Sequence, residues 1–475
     1  MFFKQILSTT VFFSLTWTST SLAQLTPESQ FPFRVSTHKH NCQSKSNSSV
    51  SNLHLLFAQT GTPKVPSGIL EPTRPGLPPS PSTPLETPTP IELLTPPSET
   101  PLNSPTELDV KVKVREVEVL GSTVFSSEEL EAVVAPFIGK EATFEDLLAI
   151  RTAITKLYLD NGYTTSGAFL PPQDLTDGIV TIQVVEGAIE RIEINGLSHL
   201  RSSYVRDRLN LAAKTPINLR TLEEALQLLQ INPLLDSVQA ELSAGTAPGL
   251  SVLTLNLKEA KAFSGSISLE NRESPSIGSL GGNFKLNHNN LLGFGDRAYA
   301  EYEITEGLDK YNVGYQFPVN AHDGTVNVRY EKYDSEIVEE PFSDLDIESD
   351  SYTLSLGFRQ PIIRTTTSEF ALSLSLDLRQ SRTFLFEDEP FSFSVGPEDG
   401  KSRITALRFS QEWINRYPKR VLAARSQFSF GLDAFDATIN DLGVDGRFTS
   451  WLGQFQWVEA LSPDIILVAR VGKQI

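Results

Sequence analysis

The chain has 475 residues with 40 basic and 58 acidic side chains, a net charge of −18. That balance argues against a protein that grips nucleic acid through a basic surface, and a single cysteine excludes both a disulfide framework and a cysteine-rich zinc site. Beyond residue 23 no run of 18 apolar residues occurs, so only alternating strands could cross a membrane.

The N-terminus reads as an export signal. Lys4 supplies a short charged region, an apolar stretch follows from Ile6 to Trp17, and Ser21-Leu22-Ala23 forms a small-x-small site with cleavage between Ala23 and Gln24. Just beyond lie His38, His40 and Cys42, whose spacing could suit a metal but which read as solvated residues of a tail. Residues 63–105 hold 14 prolines in 43 positions. Each proline removes a donor and fixes φ, so residues 24–109 are expected to form an extended, disordered tether.

Two copies of a small α/β unit follow, over 110–187 and 188–260. The first opens with a strand at 114–121 and a helix starting at Ser126-Ser127-Glu128-Glu129, where serine caps and the acids suit the first turn. A second helix, 143–160, sets Phe144, Leu147, Leu148, Ile150, Ile154, Leu157 and Tyr158 on one broad face and stops at Asn161-Gly162. Strands at 165–170 and 178–187 complete it. The second copy repeats the order, with a strand at 189–196, helices near 200–210 and 218–230, and strands at 237–243 and 250–257. Gly121 and Gly196 are 75 residues apart, as are Phe144 and Leu219, which marks an internal repeat. A βααββ unit of this size has a three-stranded sheet with an edge free to pair with an extended peptide. The candidate edges are Thr165, Ser166, Gly167, Ala168, Phe169 and Leu170 in the first copy, and Val238, Gln239, Ala240, Glu241 and Leu242 in the second.

From Phe263 onward the pattern has period two. In 369–379, Phe370, Leu372, Leu374, Leu376 and Leu378 alternate with Ala371, Ser373, Ser375, Asp377 and Arg379. In 351–359, Tyr352, Leu354, Leu356 and Phe358 alternate with small or polar residues. Trp451, Phe455 and Trp457 share a phase. Pieces of this length with charges on one phase suit a bilayer on one side and a water-filled lumen on the other. Eleven strands are predicted: 262–271, 279–288, 297–305, 310–317, 324–333, 351–360, 368–380, 402–414, 421–432, 447–459 and 464–472. Alternate connections are short, while residues 334–350 carry eight acids and no base, as expected of short periplasmic turns and longer outer loops. An odd count cannot close with uniform antiparallel pairing. The sequence ends within strand-like VARVGKQI (468–475), so a fragment lacking its C-terminal strands is expected.

The segments YLDNGYTTSGAFLPPQ (158–173), GIVTIQVVEGAIERIEINGL (178–197), NNLLGFGDRAYAEY (289–302), YNVGYQFPVN (311–320), FSQEWINR (409–416) and LAARSQFSFGLDAFDATI (422–439) resemble the haemolysin secretion/activation family, the outer-membrane transporters of two-partner secretion. The resemblance implies two polypeptide-transport-associated (POTRA) modules followed by a transmembrane antiparallel β-barrel, with about 11 of 16 strands present. It makes Asn290, Leu291, Leu292, Gly293, Gly295 and Asp296 the first barrel turn. It implies periplasmic modules that hold an unfolded exoprotein with a haemagglutinin-like secretion domain, and a barrel in outer-membrane lipid that passes this partner to the surface. The sixteen-stranded family barrel carries a VRGY-type tetrad on an outer loop after the eleventh strand, where this sequence stops. A monomer is expected, with no nucleic acid, metal, cofactor or catalytic residue.

Two other readings stay open at this stage. One is a barrel-assembly factor of the same superfamily; the other is a passive porin or surface adhesion protein. No GxxxxGK[ST] nucleotide loop occurs. Gly293 and Gly295 read as turn glycines, Glu339-Glu340 as loop neighbours without a cleft, and His288 and His322 as solvated structural residues.

Overall fold

The computed structural model describes residues 111–386, 389–443, 445–462 and 465–475. The export signal with Ala23 and Gln24, the proline-rich tether and the His38, His40 and Cys42 set lie outside the described residues.

The first module contains β1 (Glu116–Leu120), α1 (Ser127–Val134), α2 (Phe144–Asp160), β2 (Gly167–Phe169) and β3 (Ile179–Val185). Both helices begin with a reciprocal capping box, Ser126 with Glu129 and Thr143 with Asp146, which satisfies amides the helix cannot. The apolar stripe of α2 is narrower than its sequence suggests. Leu147, Ile150, Ile154 and Tyr158 are buried, whereas Phe144, the first residue of the helix, is exposed. β1 pairs parallel to β3, and β2 pairs antiparallel to it. A two-residue ladder, Val112–Lys113 with Glu141–Ala142, closes the end of the module.

The second module repeats this with β4 (Ala188–Asn195), α3 (Ser202–Asn210), α4 (Leu219–Gln230), β5 (Leu235–Ala244) and β6 (Leu250–Glu259). β4 is parallel to β6, and β5 antiparallel to it. Each sheet covers its own core: Ile150, Ile154, Tyr158, Val180 and Ile182 in the first, and Leu209, Leu222, Leu226, Leu253 and Leu255 in the second.

The modules join end to end. The amide of Leu219 donates to Gly162 O at 2.8 Å, and Ile217 N to Gly187 O at 2.8 Å. Asn218, which caps α4, also reaches Asn161 O through Nδ2 at 3.0 Å. The carbonyl end of α2 thus meets the amide end of α4, a head-to-tail arrangement that their dipoles favour. Replacing Asn218 by alanine removes cap and bridge together. It is expected to cost about 1 kcal/mol, read by urea denaturation of the periplasmic segment.

The remaining strands form one antiparallel sheet in chain order: β7 (Phe263–Asn271), β8 (Leu280–Asn289), β9 (Arg297–Thr305), β10 (Leu308–Pro318), β11 (Thr325–Glu336), β12 (Glu348–Arg364), β13 (Ser368–Leu385), β14 (Lys401–Tyr417), β15 (Arg420–Leu432), β16 (Thr449–Ser462) and β17 (Ile465–Gln474). A twelfth short strand, Glu389–Pro390, pairs with β13 off this path. Over the described residues β7 and β17 are the edges, and the sheet is not closed.

Burial on this sheet is inverted relative to a soluble protein. Leu356 is 52% exposed and Leu374 48%, while Ser355 is 4% exposed and Gln427 2%. Register lines exposed and half-buried side chains into apolar rows. One runs Val328, Leu356, Leu376, Leu407 and Phe430; the next runs Phe358, Leu374, Phe409, Phe428 and Trp451. Such a belt belongs against lipid.

The two ends of the acidic connector 334–350 are strand, not loop. Asp334 pairs with Asp350 and Glu336 with Glu348, so the hairpin continues past the apolar belt. Alternation gave no sign of it, because outside lipid neither face needs to be apolar. The outer connections fold onto a small core of their own, in which Ile337 and Ile347 are buried against Phe342, Leu345, Leu385 and Phe393.

Candidate functional site

Three features bear on function: the edges of the module sheets, the joint between the second module and the barrel, and the polar face of the barrel sheet.

The two candidate edges differ. In the first module only Gly167, Ala168 and Phe169 are strand. Thr165 and Ser166 precede it and are not edge residues. Ser166 is buried, and its Oγ accepts Gly187 N at 2.9 Å, which ties these residues to the inter-module junction. Leu170 lies past the strand. The Ala168 amide donates to Thr155 Oγ1 of α2 at 3.1 Å, so the helix already occupies that rim. In the second module β5 has ten residues and stands at the sheet margin. Val238 and Leu242 turn their side chains into the core, while Gln239 and Glu241 are exposed and Ala240 is half-buried. Among the described residues, no hydrogen bond from outside the sheet reaches the backbone of 237–243.

The turn between β8 and β9 is built to dock. Asn290 takes φ 65°, and its Oδ1 accepts Gly295 N at 2.9 Å. The buried Asp296 carboxylate accepts Leu292 N at 2.9 Å and the Tyr315 hydroxyl at 2.8 Å. These bonds present the turn's carbonyls to the second module. Arg201 N donates to Gly293 O at 2.7 Å, and His199 Nε2 to Leu291 O at 3.2 Å. Arg201 also lies over the Phe294 ring at 5.6 Å. Gly295 faces Tyr204 of α3 so closely that a Cβ there would sit 2.3 Å from the ring. Burial pushes the Tyr204 phenol up, and its oxygen accepts Asn232 Nδ2 at 3.0 Å. His288, expected to be solvated, instead has its Nδ1 enclosed at the end of β8, beside this joint.

Glu259, the last residue of β6, holds the loop that makes these contacts. Its Oε1 accepts the amides of Ser198 at 2.6 Å, His199 at 2.9 Å and Leu200 at 3.0 Å. Burial alone would raise its pKa, but the three amides outweigh burial and hold it below the ordinary glutamate value of 4.5. A depressed carboxylate stabilises above its unfolded pKa and loses that contribution as pH falls through the folded one. The loop at 198–200 is therefore expected to loosen below pH 4.5. The amide shifts of Ser198 and His199 should titrate there and stay fixed in Glu259→Gln.

The polar face of the barrel carries paired charges. Arg359 bridges Glu369 at 2.5 Å and Glu412 at 3.1 Å, and Arg408 binds Asp377 at 2.6 Å and Ser429 at 2.9 Å. These paired charges present polar groups to an extended chain. The sequence reading missed His199, Arg201, Tyr204 and Arg208. His199 and Arg201 look like ordinary residues leading into a helix, Tyr204 and Arg208 like its outer face, and their partners across the joint lie about ninety or more residues away.

Modules bonded in tandem, clasped to the short-turn end of an inside-out sheet, define an outer-membrane barrel protein with periplasmic POTRA modules. The family "POTRA domain, ShlB-type" matches residues 112–187, and "Haemolysin secretion/activation protein ShlB/FhaC/HecB" matches 249–467. The chain carries the domains of that family, and it lies in the outer membrane with its modules in the periplasm. It is 30% identical over 212 residues to an outer membrane transporter, CdiB, of Escherichia coli O6:K15:H31, covering 43% of this chain and 36% of the relative. It is 24% identical over 298 residues to a heme/hemopexin transporter protein, HuxB, of Haemophilus influenzae, covering 60% of this chain and 51% of the relative. The chain thus spans about a third to a half of these relatives. A solved structure of CdiB from Escherichia coli shares the fold, with a TM-score of 0.59 and 24% identity over 81% of this chain and 71% of that one.

Proposed function

We propose that this chain belongs to a two-partner secretion transporter: its modules capture an unfolded exoprotein in the periplasm and its barrel passes that exoprotein to the cell surface. The observation that carries the reading is the ten-residue β5 edge on a module clasped to the periplasmic mouth of the barrel. An unfolded chain exposes backbone donors and acceptors, and strand addition satisfies them while reading side chains loosely. The partner would be a secreted protein with a haemagglutinin-like secretion domain, met by a monomeric transporter, and its folding outside would supply the driving force. The edge of the first module is a poorer receptor, since Thr155 already takes an amide there. The transporter names of the relatives agree with this reading.

Titrating the periplasmic segment with an extended peptide from the partner's secretion domain tests it. Amide shifts should move along residues 236–244 and not along 167–169. Changes confined to the first module, or none on β5, would overturn the assignment of the edge.

A further inference from the structure

Asp323 sits in the turn between β10 and β11, at φ 58°, where an aspartate is tolerated better than most residues. The turn is stiff. Gly324 N donates to Asn320 Oδ1 at 2.9 Å, Val319 N to Gly324 O at 2.8 Å, and Asn320 Nδ2 to Gln360 Oε1 at 2.7 Å. The Asp323 carboxylate stands between two guanidinium groups of different origin. Arg208 of α3 reaches Oδ1 through Nε at 3.0 Å and Nη2 at 2.6 Å, and Arg364 at the end of β12 reaches Oδ2 at 3.0 Å. Arg208 itself is pinned, with its guanidinium 3.5 Å from the centre of the Tyr204 ring and Nη1 bonded to Tyr204 O at 2.9 Å.

The pair is shielded from water: the Arg208 side chain is 11% exposed and Asp323 21%. A fork-shaped, partly desolvated pair is stronger and more directional than a surface ion pair. The ion pairs do not stop at the turn. Arg364 approaches Glu369 at 4.0 Å, Glu369 pairs with Arg359, and Arg359 pairs with Glu412 on the polar wall. One carboxylate therefore ties a module helix to the interior face of the barrel.

We propose that Asp323 is the positioning residue that locks the second module onto the periplasmic mouth, setting the angle at which an exoprotein is delivered. The inference rests on the transport reading for its consequence, but not for the lock itself. Without Asp323, Arg208 and Arg364 face each other across a cleft of about 270 Å³ and repel. The module then swings on its remaining contacts at the turn between β8 and β9.

The test uses the full chain in outer-membrane vesicles, with Cys42→Ser removing the only native thiol and spin labels at Glu223→Cys on α4 and Thr367→Cys on the barrel rim. The parent should give one narrow distance distribution. Asp323→Ala should broaden and shift it, and secretion of the partner should fall about tenfold. Arg208→Gln should broaden it equally without touching the barrel turn, which separates loss of the lock from a damaged turn. The double exchange Arg208→Asp with Asp323→Arg should restore the narrow distribution at least in part. An unchanged distribution in both Asp323→Ala and Arg208→Gln would overturn the lock whatever transport does. A broadened distribution with parental secretion would overturn its role in delivery. A parent that secretes nothing, with a narrow distribution that Asp323→Ala and Arg208→Gln still broaden, would contradict the transport reading alone and support the lock.

Discussion

Replacing Gly295 by alanine is expected to undock the second module from the barrel, with a cost on the order of 2–4 kcal/mol. Two effects combine. Gly295 has φ 83°, a conformation that costs an L-residue about 1–2 kcal/mol. A Cβ there also meets the Tyr204 ring, at 2.3 Å from one carbon and 2.8 Å from the next. The ring cannot simply yield. Its oxygen is bonded to Asn232, and its face lies under the Arg208 guanidinium that Asp323 holds. Gly139 is the control, because it has φ 80° but nothing within 4 Å of a built Cβ. Gly139→Ala should show the backbone cost alone. Limited proteolysis at the joint, together with thermal unfolding, separates the two. Equal effects of both substitutions would mean that contact with Tyr204 is unimportant.

The second large effect is expected on the lipid face. Leu356→Arg places a charge in the apolar belt, in register with Val328 and Leu376, and should cost about 2–4 kcal/mol near the bilayer midplane. The variant should be depleted from the outer-membrane fraction and lose the heat-modifiable band of a folded barrel. The adjacent position gives the opposite result. Ser355 faces the lumen, and its Oγ accepts Arg329 Nη2 at 3.2 Å. Arg329 already lies 3.7 Å from Glu331; Ser355→Asp adds a second acceptor for it on the polar face and should assemble at near-parental levels. If both variants assembled equally well, the two-faced reading of these strands would be wrong.

What the sequence made legible follows from period and punctuation. Lipid on one side and water on the other enforce strict alternation, so all eleven long strands could be found from residues such as Leu354, Leu356 and Phe358 without any contact information. The 75-residue repeat was visible because Gly121 and Gly196 close equivalent strands at φ 86° and 84°. Strand ends were less legible. β12 runs to Arg364 and β13 to Leu385 because pairing continues where lipid no longer imposes a pattern. The joint was not legible at all. Arg208 and Asp323 are 115 residues apart and look like ordinary surface charges until the fold brings them together. Thr165 and Ser166 fall within the strand expected over 165–170, but the fold recruits them to the module junction through Gly187.

The central claim is that an unfolded partner meets β5 and then travels along the polar wall of the barrel. Site-specific photo-crosslinking during secretion tests it most directly, with the probe placed at Gln239 on the edge strand, at Ser410 on the polar face, and at its neighbour Phe409 in the apolar belt. The account predicts adducts with the exoprotein from Gln239 and Ser410, and adducts with lipid alone from Phe409. Exoprotein captured from Phe409 but not from Ser410, or from neither Gln239 nor Ser410 while secretion proceeds, would contradict it.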